Sequence, residues 1–354
     1  MDMESVFYLI IIIVITVTLF IVPFIPAWNE WKYKTDAETF KVDFPDKTIV
    51  DYTIRIFREY IQTHFSSMLE KYSQLQNSDD GKLANGTEYH VTGLPGAIAL
   101  SPFELQNKKT NKVYLLCQKS VLPNGINFSN KIYSSEGIDI GSLSTINELI
   151  AEGDILLEAG VSVQKLVYSK TSIVIKENFK TSGYLRAENK ILFLGNAQFK
   201  YLHSPNIEFG ELSFKPGEHF IDVIAVRSLP RRLLLENIKI PEHTTMIYNF
   251  IAKGTLSIGN NCSIFGNIKC YQEVRIGDNT TIIGSVICEN NITIGDNCSI
   301  QGPIISTGTI KIGKNCCIGI QSIKTSVVAK YIFVSTGCFI AGHILAKVEG
   351  TYSV

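Results

Sequence analysis

Three successive segments of the chain repeat one pattern: IGNNCSIFGNIKCYQEVR (residues 258–275), IGDNTTIIGSVICENNIT (276–293) and IGDNCSIQGPIISTGTIK (294–311). Each segment opens with Ile-Gly and has an Asn two residues after the Gly. The period of 18 residues divides into three sixes, which is typical of a single-chain β-helix with three short strands in each triangular coil. We therefore predict an all-β fold of stacked coils, about 4.8 Å apart, in which residues one period apart form rows.

The rows give each repeated residue type a structural role. The isoleucines that open the segments are predicted to form an inward aliphatic row: Ile258, Ile276, Ile294 and Ile312. The asparagines are predicted to form a side-chain amide ladder at a corner: Asn261, Asn279, Asn297 and Asn315. Two further rows hold small inward residues: Cys262, Thr280, Cys298 and Cys316 in one, and Cys270, Cys288 and Ser306 in the other.

Weaker copies of the pattern extend upstream to residue 132. They pair an apolar-any-small triplet with an apolar-any-apolar triplet, as in Ile132-Tyr-Ser134 with Ile138-Asp-Ile140. A degenerate copy is Tyr201-Leu-His203 with Ile207-Glu-Phe209, which places His203 in a small inward position. We predict a first β-helix block at 132–209, an insertion at 210–249, and a second block with its tail at 250–354.

The N-terminal region predicts a membrane anchor. Residues 6–28 carry no charge and would span about 34 Å as a helix, enough for a bilayer core of about 30 Å. The flanking residues are aromatic or basic: Trp28, Trp31, Lys32 and Lys34. Because acidic residues precede the span and lysines follow it, we expect a single-pass protein of the inner (cell) membrane, with residues 1–28 as anchor, the N-terminus outside and the body in the cytoplasm.

The region between the anchor and the repeats is predicted to hold one helix. Residues 29–90 are interpreted as a juxtamembrane linker with an amphipathic helix at 48–76, which packs on its own domain or binds a membrane or partner. Residues 91–131 are interpreted as an N-terminal cap of the β-helix.

Composition limits the function classes. The chain has 354 residues with 33 basic and 33 acidic side chains, so a nucleic-acid partner that needs a positive field is not expected. The eight cysteines form no C-x-x-C pair, which favours small core residues in a reducing compartment over a zinc site. We predict no metal, no cofactor and no catalytic residue.

The C-terminal two thirds resembles the bactofilins, bacterial polymer-forming cytoskeletal proteins with a β-helix core. The matching elements are series such as Ile264-x-Gly266-x-Ile268-x-Cys270 and Ile282-x-Gly284-x-Val286-x-Cys288. The anchor, the helix and the insertion make the layout similar to a membrane-anchored branch of that family. The resemblance implies a right-handed β-helix and a nucleotide-independent, self-associating scaffold for cell-envelope or polysaccharide enzymes.

Two other functions stay open. A hexapeptide-repeat acyltransferase would have similar coils, a left-handed β-helix, and a His as general base toward an acyl-CoA; His219 and His243 in the insertion are the candidates. A passive adhesin is the other alternative.

The end of the chain predicts a self-association surface. Only the eight residues KVEGTYSV follow the last regular coil, too few for a capping helix. Because an uncovered coil exposes backbone, we expect end-to-end contacts between copies through Phe339, Ile340 and Ile344.

Overall fold

The fold was examined in a computed structural model, which describes residues 15–25, 28, 45–214, 231–234, 237–320 and 324–354. These residues form a β-solenoid of about 12 turns with a spacing of about 18 residues, which confirms the predicted solenoid. One continuous core contains the inward residues of both blocks.

The first block is built from short strands that pair in parallel with the equivalent strands one coil away, except for the antiparallel β1–β2 pair. Its strands are β1 (Ser78–Lys82), β2 (Glu88–Thr92), β3 (Gly96–Ala97), β4 (Lys109–Thr110), β5 (Val113–Leu116), β6 (Ser120–Leu122), β7 (Asn127–Ser134), β8 (Ile138–Ile140), β9 (Thr145–Ala151), β10 (Ile155–Leu157), β11 (Ser162–Ser169), β12 (Ser172–Ile175), β13 (Phe179–Thr181), β14 (Tyr184–Ala187), β15 (Lys190–Phe193) and β16 (Ala197–Phe209).

The second block follows the same plan with sharper repeats. Its strands are β17 (Arg231–Leu234), β18 (Ile238–Ile240), β19 (Thr245–Ile247), β20 (Asn249–Ala252), β21 (Leu256–Ile258), β22 (Ser263–Phe265), β23 (Ile268–Cys270), β24 (Glu273–Ile276), β25 (Thr281–Ile283), β26 (Val286–Cys288), β27 (Asn291–Ile294), β28 (Ser299–Ile300), β29 (Ile304–Ser306), β30 (Thr309–Ile312), β31 (Cys317–Ile318), β32 (Thr325–Val334) and β33 (Cys338–Tyr352).

The corners of the second block need special backbone. The four ladder asparagines have φ between 54° and 56°, the left-handed region that Asn accepts readily. Gly284 has φ of 155°, and a Cβ at this position would collide with the carbonyl oxygen of Gly266 in the coil before it. The Ile-x-Gly-x-apolar series therefore follows from the close approach of successive coils.

Two helices accompany the strands. Helix α1 (Pro45–Leu75) lies along the side of the first block, where its apolar residues pack on outward side chains of several coils. The predicted helix at 48–76 thus packs on its own chain. Helix α2 (Pro102–Asn107) begins at the capping residue Ser101.

The predicted anchor falls largely on residues outside the described part of the chain. Within the described part, residues 15–21 are helical, and no helix is long and apolar enough to cross a membrane.

The coils extend further than the repeats predicted. The parallel pairs β2–β5 and β5–β7 place coils before residue 132, in the region interpreted as a cap. Strands β17–β19 pair with β20–β22, so residues 231–249 of the predicted insertion form a coil of the second block. Charged residues at outward positions and less regular spacing make these coils hard to see in the sequence.

The two blocks meet at their C-terminal ends. Strand β33 pairs in parallel with β31 and β32 on one side and antiparallel with β16 on the other. The last strand of the second block therefore covers the last strand of the first, and the core continues across the junction.

The degenerate copy at Tyr201 is one residue out of register. Leu202, not Tyr201, aligns with Leu185, so Leu202 and Ser204 take the inward positions. Tyr201 and His203 face outward, because a shift of one residue in a strand moves its side chains to the other face.

Candidate interaction surfaces

The C-terminal coil is buried, and the expectation of an open edge there is wrong. Phe339, Ile340 and Ile344 each have a relative exposure of 0%. Ile340 lies opposite Ile207, and Ile344 opposite Leu202, in the β16–β33 pair. Phe339 packs in a small cluster with Leu212 and Phe214 from the segment that follows β16. In this fold the three residues hold the blocks together and offer no surface to a second copy.

The junction contains two buried histidines. His203 and His343 are register partners, their ring centroids are 4.0 Å apart, and the hydroxyl of Tyr201 is 3.3 Å from Nδ1 of His343. The sequence placed His203 in the core; the structure places it between the blocks. Equivalent coil ends on two separated blocks could have been matched only with knowledge of the chain path between them.

The asparagine corner has a partner row that the sequence interpretation missed. Asn315 donates from Nδ2 to Oδ1 of Asn297 at 3.3 Å, one rung of the predicted ladder. One residue earlier in each repeat, side-chain oxygens accept a backbone N–H from the next coil at 2.7–2.8 Å: Asn260 from Asp278, Asp278 from Asp296, and Asp296 from Lys314. The repeated Gly-Asp/Asn dipeptide was the available signal.

The cysteines occupy small inward positions, and all eight thiols are free and buried. The thiol of Cys298 donates to the carbonyl of Gly277 at 3.1 Å, and that of Cys316 donates to the carbonyl of Gly295 at 3.1 Å. Thr280 donates to Gly259 in the same way, which explains why a hydroxyl and a thiol alternate in this row. Among the described residues, no group of three or more potential metal ligands converges.

The remaining candidate residues are scattered. His243 is exposed at a corner with φ of 57°, 18 residues before Asn261, and thus begins the asparagine row. Trp28 is 63% exposed. His219, Trp31, Lys32 and Lys34 lie outside the described residues.

Charged contacts fix α1 on the first block. Arg58 on α1 donates to Glu152 at 2.8 Å, and Asp51 forms an ion pair with Arg186. Arg58 and Arg186 both lie over the ring of Tyr168. Asp51 belongs to the first turns of α1, so the helix begins beside the coil that contains Arg186 and continues toward the N-terminal coils.

The side of the solenoid that α1 covers continues into an apolar groove on the second block. One row of register partners runs across the junction: Leu166, Tyr184, Tyr201, Leu345, Val328, Ile305, Ile287 and Lys269. Leu166 belongs to the cluster under α1, and the groove of about 990 Å³ is lined by the others. Alternation within single strands predicted inward positions, but not which outward row would be apolar.

The end of the second block away from the junction has an edge. Within the described residues, β17, β18 and β19 pair only with β20, β21 and β22. Ile247 and Tyr248 on this coil are 50% and 39% exposed.

In comparisons with protein-family models, curated proteins and solved structures, nothing matches this chain. The resemblance to the bactofilins therefore stays a prediction from the residues.

Proposed function

We propose that the chain is a membrane-anchored scaffold of the bactofilin type, with a right-handed β-helix. It self-associates without nucleotide on the cytoplasmic face of the cell membrane and organises envelope enzymes there. The edge of β17–β19 supports the self-association, and the predicted anchor at 6–28 supports the location.

The edge is suited to pairing with a second copy. Ile238 donates its N–H to Thr255, and Ile240 accepts from Gly259, so both residues direct their backbone groups toward β21. Because backbone groups of successive residues point to opposite sides of a strand, the N–H and C=O of Lys239 point away from β21. A two-fold contact between two such edges would extend the solenoid and cover Ile247 and Tyr248.

The test is the assembly state of the full chain in detergent, with and without ATP or GTP, by sedimentation and electron microscopy. We expect wild-type assemblies that do not depend on nucleotide. Lys239→Pro removes one outward N–H and should reduce the assemblies to a smaller species with an unchanged thermal melt. Lys239→Ala keeps the backbone and should assemble like wild type. Equal assembly sizes for both variants would exclude this edge, and a monomeric wild type would exclude the scaffold.

The location has a separate test. An alkaline phosphatase fused after Val354 should be inactive in a bacterial host, since the enzyme matures only outside the cytoplasm. Strong activity would reverse the proposed orientation and favour the adhesin.

A further inference from the structure

The groove on the second block has an apolar floor where the neighbouring face is polar. The row Leu345, Val328, Ile305 and Ile287 is half-buried or buried on the outside of the solenoid. On the next face, the same coils carry the outward row Ser257, Arg275, Thr293 and Lys311. A contiguous apolar row on one face alone is typical of a surface that another element covers.

The first block shows what covers such a row in this fold. Leu166 and Tyr184 lie at the edge of the cluster beneath α1, and Tyr184 also lines the groove. The groove begins where α1 begins, at the coil of Arg186 and its partner Asp51. The groove is therefore a continuation of an established helix-binding face.

The backbone of the floor favours a helix as the occupant. Strands β23, β26, β29, β32 and β33 pair on both sides with neighbouring coils, so they present side chains rather than open backbone groups to the groove. An occupant must then satisfy its own backbone, as a helix does. Five rows from Tyr201 to Ile287 span about 19 Å at about 4.8 Å per strand, the length of about 13 helical residues.

The rim of the groove is mainly basic. Lys200, Lys269 and Lys347 line it, with Glu289 as its acidic member. An occupant with acidic residues beside its apolar stripe would complement this charge.

We propose that this groove, which we name the second-block groove, binds an amphipathic helix of a partner protein, about 13 residues long, with an apolar stripe flanked by Asp or Glu. The inference rests on the proposed scaffold function, for which it supplies the mode of partner recognition. The apolar residues of the helix would pack on Ile287, Ile305 and Val328, and its carboxylates would face the lysines.

The test uses the full chain in nanodiscs of phosphatidylcholine and a displayed library of 14-residue helical peptides. We expect enrichment of peptides with apolar residues at i, i+3 or i+4, and i+7 and with acidic neighbours. Ile305→Asp should weaken the selected peptides at least tenfold. Phe333→Asp changes an exposed apolar residue of the same strand β32 on another face and should leave binding unchanged. Lys200→Glu with Lys347→Glu should remove the preference for acidic peptides.

Three outcomes would overturn the proposal: no enrichment, peptides that bind Ile305→Asp as well as wild type, or a lipid that copurifies with wild type and is lost from Ile305→Asp in native mass spectrometry. Sedimentation of the same proteins separates this test from that of the scaffold. Groove variants that assemble normally but bind no peptide would contradict only the groove proposal.

Discussion

His203 and His343 lie opposite each other in antiparallel register, with ring centroids 4.0 Å apart, although 142 to 140 residues of chain separate this region of β16 from its partners in β33. Their contact marks the place where the blocks join end to end. A solenoid that continued in one direction would leave the ends of both blocks uncovered. Here the chain reverses direction, and each block covers the backbone edge of the other.

This junction can be tested by cross-linking. Opposite residues in an antiparallel pair have Cα atoms about 4.5–5.5 Å apart, within the range of a disulfide. His203→Cys with His343→Cys should give a disulfide-linked product under mild oxidation, seen as a cross-linked peptide by mass spectrometry. The pair His203→Cys with Ser326→Cys is the control, since Ser326 lies one strand further away, beyond His343. Equal yields from both pairs would contradict the register.

Burial of the C-terminal coil changes the expected effect of its mutation. Phe339→Ala should lower the free energy of unfolding by about 3–5 kcal/mol, because the ring is fully buried. Ile344→Asp would place a carboxylate between β32 and β16 and should prevent folding. Arg275→Ala is the control, because its side chain is 63% exposed. Urea unfolding measures all three; a wild-type midpoint for Phe339→Ala would refute the junction.

Much of the second block could be predicted from single residues. Ile258, Ile276 and Ile294 recur without insertion, and they stack inward as predicted. The strict period works because each coil must match the next over every strand, so an added residue must leave through a corner.

The parts that could not be predicted involve contacts outside the period. At Tyr201 the spacing contracts, and the sequence alone does not fix which neighbour of Leu202 faces the core. The covering of β16 by β33 depends on the path of the chain between the blocks, which no local pattern contains. The second-block groove depends on outward residues of five coils from both blocks, whose alignment follows only once the junction is known.

The buried cysteines should be unreactive in the folded protein. Burial raises the pKa of the Cys317 thiol to about 12, and a hydrogen bond with Cys316 together with burial raises the pKa of Cys298. Since the thiolate is the reactive form, we expect negligible alkylation by iodoacetamide at pH 8 and full alkylation in urea. Mass spectrometry after each treatment gives the count. Rapid labelling of Cys317 in the native protein would show that its coil opens.

The first coils contain a buried carboxylate that should make stability depend on pH. Burial alone would raise the pKa of Glu104, but hydrogen bonds from Ser101 and Thr110 and attraction to Lys112 outweigh it and lower the pKa to about 2. A carboxylate whose pKa falls on folding stabilises the protein above its unfolded pKa of about 4.3. That stabilisation decreases as the pH falls from about 4.3 toward 2.

The corresponding variant is Glu104→Gln, which keeps the size of the side chain but not its charge. We expect it to lower the free energy of unfolding at pH 7 by at most about 3 kcal/mol, the value of a shift of about two pKa units. The difference from wild type should shrink steadily between pH 4.5 and pH 2.5, because wild type loses the same charge by protonation. Glu59→Gln is the matched control, since the side chain of Glu59 is 64% exposed and should change stability little at any pH. Urea unfolding of the three proteins across this range decides the matter: a difference between Glu104→Gln and wild type that stays constant with pH would mean that the carboxylate is not charged in the folded protein.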